Sequence, residues 1–255
     1  MKKNRIMYNP FSLKNKTILV TGASSGIGKS IAIESSKLGA RVIITSRSED
    51  KLKLTLRAME GEGHMLLIAD LTIIKDIQYL ISQLPYLDGI VHNAGISNKR
   101  ELCNYITDQN YIKTMAINLE APIMLQKAIL QKKILNKEAS IVFIASRAPF
   151  APSAGNAVYS ASKGAIIAYS KVLALELASR KIRINSICPA MVWTDLVHSD
   201  SSITKDAFEK NQREYPLKRY GKPEDIAFLT IYLLSEASNW MTGSSIDITG
   251  GGAGV

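Results

Sequence analysis

Tyr159 and Lys163, four residues apart, are the first candidates for chemistry in this 255-residue chain. The stretch that follows them, Gly164 to Ala178, is rich in Ala, Ile and Leu at helical spacing, and residues i and i+4 share one helix face. A cation beside a phenol lowers the pKa of that phenol, so the pair predicts a tyrosine that exchanges a proton near neutral pH. The same spacing also occurs in ordinary surface helices, so the pair alone does not distinguish a catalytic site from a surface helix that carries a Tyr and a Lys.

Ser146 stands thirteen residues before Tyr159, at the end of the apolar run 140–146. A continuous apolar run of this length is typical of a buried strand, which puts the serine at a strand end. Its hydroxyl could there hold a carbonyl oxygen beside the phenol. The two hydroxyl groups together favour proton transfer to or from an oxygen atom.

Short apolar runs alternate with helical stretches along the whole chain. The predicted strands are 16–21, 41–45, 65–69, 89–92, 140–146, 182–187 and 245–248. The predicted helices are about 28–38, a helix capped by Ser48, 72–84, 104–135 with a break or bend at Pro122, 159–180 and 223–235. This alternation predicts a single α/β domain over residues 1–255, with a doubly wound, parallel, seven-stranded sheet and helices on both faces.

Ligands of such sheets bind beyond the carboxyl ends of the strands. The unusual residues of this chain fall there: a glycine-rich turn over 21–28, Asp70, the segment 93–95, Ser146 and the segment 189–194. Glycines let the backbone approach a pyrophosphate, and the following helix N-terminus adds partial positive charge. Because the turn follows a strand and opens a helix, it predicts a phosphate-binding site rather than a mere tight connection.

The formal net charge is +10, and the chain holds two cysteines. Such a charge suits nucleic acid, an acidic protein or a phosphorylated ligand, but the lysines are spread along the sequence, which favours an ordinary solvated surface. We expect no nucleic-acid partner. No apolar run approaches a membrane span of about 20 residues and no signal core follows the basic N-terminus, so we expect a cytoplasmic protein that does not bind membranes.

No metal site is expected. His64 and His198 stand apart from any cluster of acids or cysteines. Cys103 and Cys188 are expected to be packing residues, since two cysteines are too few for a disulfide framework. His92, which ends a predicted strand, is interpreted as a packing residue rather than a base.

Several motifs occur in one order along the chain: Thr21-Gly-x-x-x-Gly26-x-Gly28, Asn93-Ala-Gly95, Asn118, Ser146, Tyr159 with Lys163, Pro189 with Thr194, Gly221-Lys-Pro-Glu-Asp225, Thr242-Gly and Gly250-Gly251. With them the chain resembles the short-chain dehydrogenase/reductase family over about residues 16–252. In layout it is most similar to the 3-oxoacyl-acyl-carrier-protein reductases of that family. The resemblance implies a Rossmann-like fold and hydride exchange between a nicotinamide cofactor and a carbonyl or alcohol. His92 and Ala190 depart from the residues usual in the family.

The resemblance assigns the catalytic roles. Tyr159 is the general acid, Ser146 bonds the substrate oxygen, and Lys163 lowers the pKa of the tyrosine and binds the nicotinamide ribose. Asn118 would hold a water in a proton relay through a helix-bending backbone; otherwise it is simply a polar helix residue.

The resemblance also assigns a set of cofactor-binding residues. Asp70 would bind the adenine amino group, unless it only caps the next helix. Asn93 would brace the sheet, and Thr194 would bond the carboxamide. The full set is Gly22, Ser24, Ser25, Gly26, Ile27, Gly28, Ser46, Arg47, Asp70, Leu71, Asn93, Ala94, Gly95, Tyr159, Lys163, Pro189, Val192 and Thr194.

NADP(H) is favoured over NAD(H) as the cofactor. An NAD enzyme usually has an acid at the end of strand two, where this chain has Ser46 followed by Arg47. A guanidinium suits a 2′-phosphate. Ser25 argues the other way, because many NADP enzymes of the family place a second basic residue in the glycine turn.

The resemblance further predicts a homotetramer, or else a homodimer, paired through helices at about 104–130 and 156–180. A substrate lid is expected at about 193–220, and residues 1–13 are an N-terminal extension. Lys137 and Arg180, with Lys132, Lys133, Lys181 and Arg183 nearby in sequence, occupy positions where the related reductases receive an acidic carrier protein near the active-site mouth. Helix ends also favour such cations for reasons unrelated to a partner.

Three functions are therefore open. The first is an NADP(H)-dependent ketoreductase acting on a small ketone or on a substrate linked to acyl carrier protein. The second is a dehydrogenase that oxidises a sugar, steroid or other secondary alcohol. The third is a nucleotide-binding regulator, against which the intact set of Ser146, Tyr159 and Lys163 argues.

Overall fold

The strands of the chain form one parallel sheet in the computed structural model, which describes residues 8–97, 99–194 and 205–252. The spatial order of the strands is β3-β2-β1-β4-β5-β6-β7. Their bounds are β1 Thr17–Thr21, β2 Arg41–Ser46, β3 Met65–Ile68, β4 Leu87–His92, β5 Leu135–Ile144, β6 Arg183–Pro189 and β7 Ser245–Ile248. The predicted seven-stranded, doubly wound α/β fold is confirmed.

Helices connect the strands and cover the sheet. They are α1 Gly26–Lys37, α2 Glu49–Arg57, α3 Ile74–Gln83, α4 Asp108–Met115, α5 Ala121–Lys132, α6 Ala157–Glu176, α7 Lys205–Glu214 and α8 Pro223–Leu234. In the described ranges no helix is both long and apolar enough to cross a bilayer.

Alternate residues of each central strand enter two separate cores. In β1, Leu19 packs in a core formed with α3, α5 and α6, whereas Ile18 and Val20 pack in a core formed with α1, α2 and α8. Side chains of a strand point alternately to its two faces, so an all-apolar strand needs a layer of helices on each side. The sheet is accordingly the middle of three layers.

Several strand ends differ from the prediction, and the largest difference is in β5. β5 begins five residues before the predicted start, at Leu135, and its pairing with β4 shifts register between Leu87 and Gly89. The irregular, polar start of this strand hid it from a search for apolar runs. β5 then ends at Ile144, so Ser146 lies two residues beyond the strand. β3 likewise ends two residues before Asp70.

The predicted bend in the long helical region is a π-helical segment, Ala116–Glu120, between α4 and α5. Pro122 follows it in the first turn of α5. Proline has no N–H, so it cannot donate to the carbonyl of Asn118, four residues earlier, or to that of Ile117, five residues earlier. The bend therefore comes just before the proline, and a backbone carbonyl at the turn lacks its usual helical donor.

The described part of the predicted N-terminal extension packs on the domain. Leu13 is fully buried, and the carbonyl of Pro10 accepts a hydrogen bond from the backbone N–H of Ala237. Phe11 lies against Tyr232 of α8, with ring centroids 6.3 Å apart. Residues 8–13 are thus continuous with the fold, while residues 1–7 lie outside the described ranges.

Gly28 lets α1 approach the sheet closely. A Cβ at this position would lie 2.4 Å from the carbonyl oxygen of Gly22 and 2.4 Å from the side-chain nitrogen of Asn93. Real Cβ atoms do not approach that closely, so any larger residue must displace the helix or the glycine turn.

Gly28→Ala should therefore destabilise the protein by about 1–3 kcal/mol, the usual cost of overpacking. Gly164→Ala is a matched control, because a Cβ there meets only Pro149 at 3.6 and 3.7 Å, which is ordinary contact. The control should be neutral or stabilising by up to about 1 kcal/mol, since alanine favours a helix. Urea unfolding of both variants provides the measurement, and equal effects would refute the packing account.

Candidate active site

A cavity of about 1120 Å³ opens at the carboxyl ends of the strands. Pockets for drug-sized ligands usually span about 300–1,000 Å³, so this one has room for a large ligand or for two molecules. It lies over the ends of β1 and β4, the point in the strand order where the connections change direction. This is where ligands of open α/β sheets bind.

The floor of the cavity is the glycine turn, held to the end of β4 by hydrogen bonds. The hydroxyl of Thr21 accepts the backbone N–H groups of Asn93 and Ala94, each at 3.0 Å, and donates to the carbonyl of Val91 at 3.2 Å. The side chain of Asn93 donates to the carbonyls of Thr21 and Gly22. Asn93 therefore braces two strand ends, as predicted.

Gly22 leaves space above this floor for a ligand group. It has a φ of +65°, which favours glycine, and a Cβ there would lie 2.8 Å from the Cα of Ala94. Gly26, with a φ of +52°, lies beneath Thr194, whose methyl carbon would be 3.1 Å from a Cβ.

Most of the predicted site residues line this one cavity. Those that do so are Gly22, Ser24, Ser25, Gly26, Ile27, Ser46, Arg47, Asp70, Leu71, Asn93, Ala94, Gly95, Ser146, Tyr159, Lys163, Pro189, Val192 and Thr194. The two exceptions are Gly28, which packs α1 against the sheet, and Asn118, which lies behind the wall.

Lys163 is buried behind Tyr159. Its ammonium donates to the carbonyl of Ile144 at 2.9 Å and lies 5.9 Å from the centre of the Tyr159 ring. The side chain is only 6% exposed. Burial of the charged form lowers the pKa of Lys163 to about 8.

The phenol of Tyr159 does not have the lowered pKa that the sequence predicted. Loss of water around the phenol raises its pKa, and a hydrogen bond with the Ser146 side chain offsets only part of the rise. Lys163 does not reverse this, because its ammonium is turned to the carbonyl of Ile144 rather than to the phenol oxygen. The oxygen of Ser146 also accepts the N–H of Ala148 at 3.1 Å, which fixes the serine beside the tyrosine.

The side chain of Asn118 is fully engaged with protein groups. Its oxygen accepts the N–H of Ile96 at 2.8 Å, and its amide donates to the carbonyl of Ile96 and to the hydroxyl of Ser162. Asn118 is 2% exposed, so this buried clamp joins the loop after β4 to α6. Any direct chemistry at this position must come from the backbone of the π-helical segment.

Asp70 and Arg47 meet at the opposite end of the cavity. The guanidinium lies 3.7 Å from one carboxylate oxygen, and the other oxygen accepts the N–H and hydroxyl of Thr72. Partial burial pushes the pKa of Asp70 upward, but the hydrogen bonds from Thr72 and the charge of Arg47 outweigh it, so the pKa is below its usual value. Asp70 thus makes the turn contacts of a cap while it also lines the cavity.

His92 is a packing residue, as predicted. Its ring stacks on Phe143 with centroids 4.6 Å apart, and Nε2 lies 3.0 Å from the side-chain oxygen of Gln126. Burial lowers the pKa of His92 to about 4, so the ring is neutral at physiological pH.

The prediction for the cysteines is half right. Cys188 is buried, and burial raises the pKa of its thiol to about 11, whereas Cys103 is exposed. In the described ranges no three His, Cys, Asp or Glu side chains come together as metal ligands would. His198 lies outside these ranges.

Several cavity residues were missed by reasoning from the sequence. They include Lys51, Ser97, Arg100, Arg147, Asn156, Asn211 and Tyr215. Asn211 and Tyr215 come from the predicted lid, of which residues 195–204 are outside the described ranges. The ring of Tyr215 rests on Gly252, where a Cβ would lie 2.4 Å from it. Two of them had a usable signal. Lys51 lies four residues after Arg47 at the start of a helix, and Arg147 directly follows Ser146, where the related reductases usually have a small residue.

Comparison with known proteins agrees with this geometry. The family described as enoyl-(acyl carrier protein) reductase matches residues 22–252. A short-chain dehydrogenase/reductase from Mycobacterium marinum superposes with a TM-score of 0.84 at 30% identity, covering 95% of this chain and 97% of that one. The chain belongs to the short-chain dehydrogenase/reductase family, and it is an oxidoreductase.

Individual relatives are similar over nearly their whole length. The 3-oxoacyl-[acyl-carrier-protein] reductase FabG of Rickettsia prowazekii is 35% identical over 244 residues, or 94% of this chain and 97% of that protein. The L-xylulose reductase of Caenorhabditis elegans is 31% identical over 246 residues, with coverages of 94% and 97%. The names of these two relatives specify different substrates. Similarity to them therefore shows the family of this chain and does not specify its substrate.

Lys163→Met should stabilise the protein while removing a site residue. The pKa of this lysine in the folded state, about 8, lies below its ordinary 10.5, so the folded chain binds the proton less tightly than the unfolded chain. The resulting cost is complete below pH 8 and disappears above about pH 10.5. The gain in unfolding free energy should be about 1–3 kcal/mol at pH 7 and smaller at pH 9.5. Urea titrations at both pH values measure it; a loss of stability at pH 7 would contradict it.

Proposed function

We propose that the protein is an NADP(H)-dependent oxidoreductase that reduces a ketone to a secondary alcohol, with Tyr159 as general acid. The observation that carries this proposal is the convergence of Ser146, Tyr159 and Lys163 on the same cavity as the glycine turn. Two hydroxyl groups beside one another suit a carbonyl oxygen, which accepts two hydrogen bonds.

The residues present fit a nicotinamide dinucleotide. The glycine turn opens α1 and leaves space that a Cβ at Gly22 would fill, as a pyrophosphate requires. Asp70 and Arg47 would hold the adenosine end, and Thr194 and Lys163 the nicotinamide end. When bound, this cofactor supplies the hydride.

Tyr159 supplies the proton to the substrate oxygen. Its raised pKa keeps the phenol protonated at neutral pH, which is the form that a general acid needs. Ser146 holds the oxygen through a hydrogen bond. Lys163 is mostly protonated at pH 7 because its pKa is about 8. Its positive charge offsets the negative charge that develops on the phenol oxygen as Tyr159 loses its proton.

A proton can return to Tyr159 from the direction of the π-helical segment. Pro122 leaves a backbone carbonyl near Asn118 without its helical donor. We assign to that carbonyl the binding of a water in a relay toward Lys163. The side chain of Asn118 acts here as a positioning group, because it is hydrogen-bonded to Ile96 and Ser162 and does not bind the water itself.

The substrate class is proposed from the relatives. The FabG name specifies a 3-oxoacyl group on acyl carrier protein, whereas the family description names an enoyl group. The paired hydroxyls favour the ketone. The likeness to L-xylulose reductase supports the alternative, a sugar or another secondary alcohol, and oxidation would then require Tyr159 in its ionised form.

NADP(H) is proposed over NAD(H) because of the end of β2. Ser46 and Arg47 line the cavity there, in place of the acid that would bond a free ribose 2′-hydroxyl. A guanidinium attracts a 2′-phosphate.

The cellular location is proposed from the cysteines. Two cysteines are too few for a disulfide framework and suit a reducing cytoplasm, where we place the enzyme.

Docking of an acyl carrier protein on the predicted cations needs a second subunit. α6 is 20 residues long, so about 30 Å separates Tyr159 at its start from Arg180 beyond its end. Lys137 lies at the start of β5, on the same far edge of the sheet. The expectation that these cations stand at the mouth of their own active site is wrong for a single chain.

Part of the cation cluster also has a structural task. Arg183 is 8% exposed and donates to the carbonyls of Ser235 and Ser238. Arg180 donates to the carbonyl of Leu135, and Lys181 pairs with Glu138 at 3.2 Å. Lys132, Lys133 and Lys137 remain exposed. We propose that in a homotetramer, or a homodimer, these lysines serve the active site of the neighbouring subunit.

Tyr159→Phe should lower kcat by about 10²–10⁴-fold with little change in cofactor affinity, because only the proton donor is lost. A panel of small ketones, 3-oxoacyl thioesters and enoyl thioesters is assayed with NADPH and with NADH. We expect turnover of a ketone, with higher kcat/KM for NADPH. Activity of the Phe variant above about a tenth of wild type would remove Tyr159 from its role, and an NADH preference would remove the cofactor assignment.

Mixed oligomers test delivery by the neighbouring subunit. Lys137→Glu should raise KM for a substrate linked to carrier protein but not for a small 3-oxoester, more strongly at low salt. Lys75→Glu, the same charge change on an exposed lysine at the start of α3, at the opposite edge of the sheet, is the control. Co-expression with Tyr159→Phe subunits should restore activity on the protein-linked substrate, because each intact tyrosine then meets an intact lysine in its partner. Absence of restoration would reject this arrangement.

A further inference from the structure

Lys51 is a cation at the adenosine end of the cavity that neither the motifs nor the catalytic account uses. It lies in the first turn of α2 and lines the cavity with Ser46, Arg47 and Ser48. One continuous piece of chain, from the end of β2 into α2, thus supplies a part of the cavity wall at this end.

Lys51 has no acidic partner among the described residues. Of the two carboxylates in the same turn, Glu49 pairs instead with Lys53 at 2.8 Å, and neither Glu49 nor Asp50 lines the cavity. The only acid that lines the cavity among those residues is Asp70, and it lies 3.7 Å from Arg47. Two cations therefore face one carboxylate, which leaves a net positive charge at this end.

The helix that carries Lys51 is fixed to the glycine turn. The hydroxyl of Thr55, which is fully buried, lies 2.9 Å from the carbonyl of Ala23 and 3.2 Å from that of Lys51 itself. The glycine turn is in turn bonded to β2, with the N–H of Gly22 donating to the carbonyl of Thr45 at 2.8 Å. The position of Lys51 relative to a ligand on the glycine turn is thereby set by the fold.

The glycine turn itself brings no cation to this end. The side chains of this turn that line the cavity, those of Ser24, Ser25 and Ile27, are uncharged. A doubly charged phosphomonoester beside Arg47 alone would be opposed by the nearby carboxylate of Asp70. A second cation strengthens the attraction, and Lys51 is placed to supply it.

We propose that Lys51 and Arg47 together bind the phosphomonoester on the 2′-oxygen of the adenosine ribose, with Lys51 replacing a basic residue in the glycine turn. This inference rests on the proposed use of NADP(H) and names a specificity-determining residue for it. Both cations are open to solvent, so the attraction falls as salt rises.

Direct binding of the two adenosine nucleotides tests the proposal without catalysis. Calorimetric titration with 2′,5′-ADP and with 5′-AMP isolates the 2′-phosphate. Lys51→Met keeps an unbranched stem of similar length, and it should weaken binding of 2′,5′-ADP by about fivefold or more while 5′-AMP is unaffected. Lys53→Met, two residues along the same helix, is the control and should change neither affinity.

The possible outcomes distinguish failure of the Lys51 proposal from failure of the NADP(H) assignment on which it rests. A wild type that binds 2′,5′-ADP no better than 5′-AMP overturns both the NADP(H) assignment and the role of Lys51. A wild type that prefers 2′,5′-ADP, with Lys51→Met and Lys53→Met behaving alike, overturns the role of Lys51 alone. Equal weakening of both nucleotides by Lys51→Met also overturns it, because the lysine would then not recognise the 2′-phosphate. Circular dichroism of each variant confirms the fold.

Discussion

The hydroxyl of Thr21 joins the two loops that create the site. It bonds the backbone of Asn93 and Ala94 after β4, while the Asn93 side chain bonds the carbonyls at the start of the glycine turn. These bonds hold together the ends of β1 and β4. The chain that follows β1 leads to a helix on one face of the sheet, and the chain that follows β4 leads to helices on the other face. The cavity exists because the helices diverge there, and the cofactor end and the reacting end are both built on this one junction.

The buried charge of Lys163 at the reacting end of the cavity lowers the stability of the folded protein. Lys163 is buried and charged at neutral pH, with one backbone carbonyl as its hydrogen-bond partner in the described structure. An unpaired buried cation is expensive, and such costs are typical of active sites rather than of packing. The two surrounding cores, one on each face of the sheet, supply the stability that makes this arrangement tolerable.

The fold could be predicted from the alternation of apolar and helical stretches, and the location of the glycine turn and Ser146 needed only the rule that parallel strands share a carboxyl edge. The role of Tyr159, which lies in α6 rather than at a strand end, was predicted from the family resemblance. The pKa of Tyr159 could not be predicted, since it depends on where Lys163 directs its ammonium after packing. The burial of Arg183 and the distance of Lys137 from Tyr159 likewise depend on three-dimensional direction, which neighbours in sequence do not reveal.

The central claim is that a hydride and the proton of Tyr159 are delivered to one carbonyl group in this cavity. Its most direct test is isotope transfer, with NADPH carrying deuterium at the transferable position and the 3-oxoacyl thioester and ketone panel as substrates. The account predicts one deuterium on the carbinol carbon of the product, by mass spectrometry and NMR. Deuterium on a carbon of a reduced enoyl group, or no transfer to any ketone by a protein that binds NADPH, would contradict it.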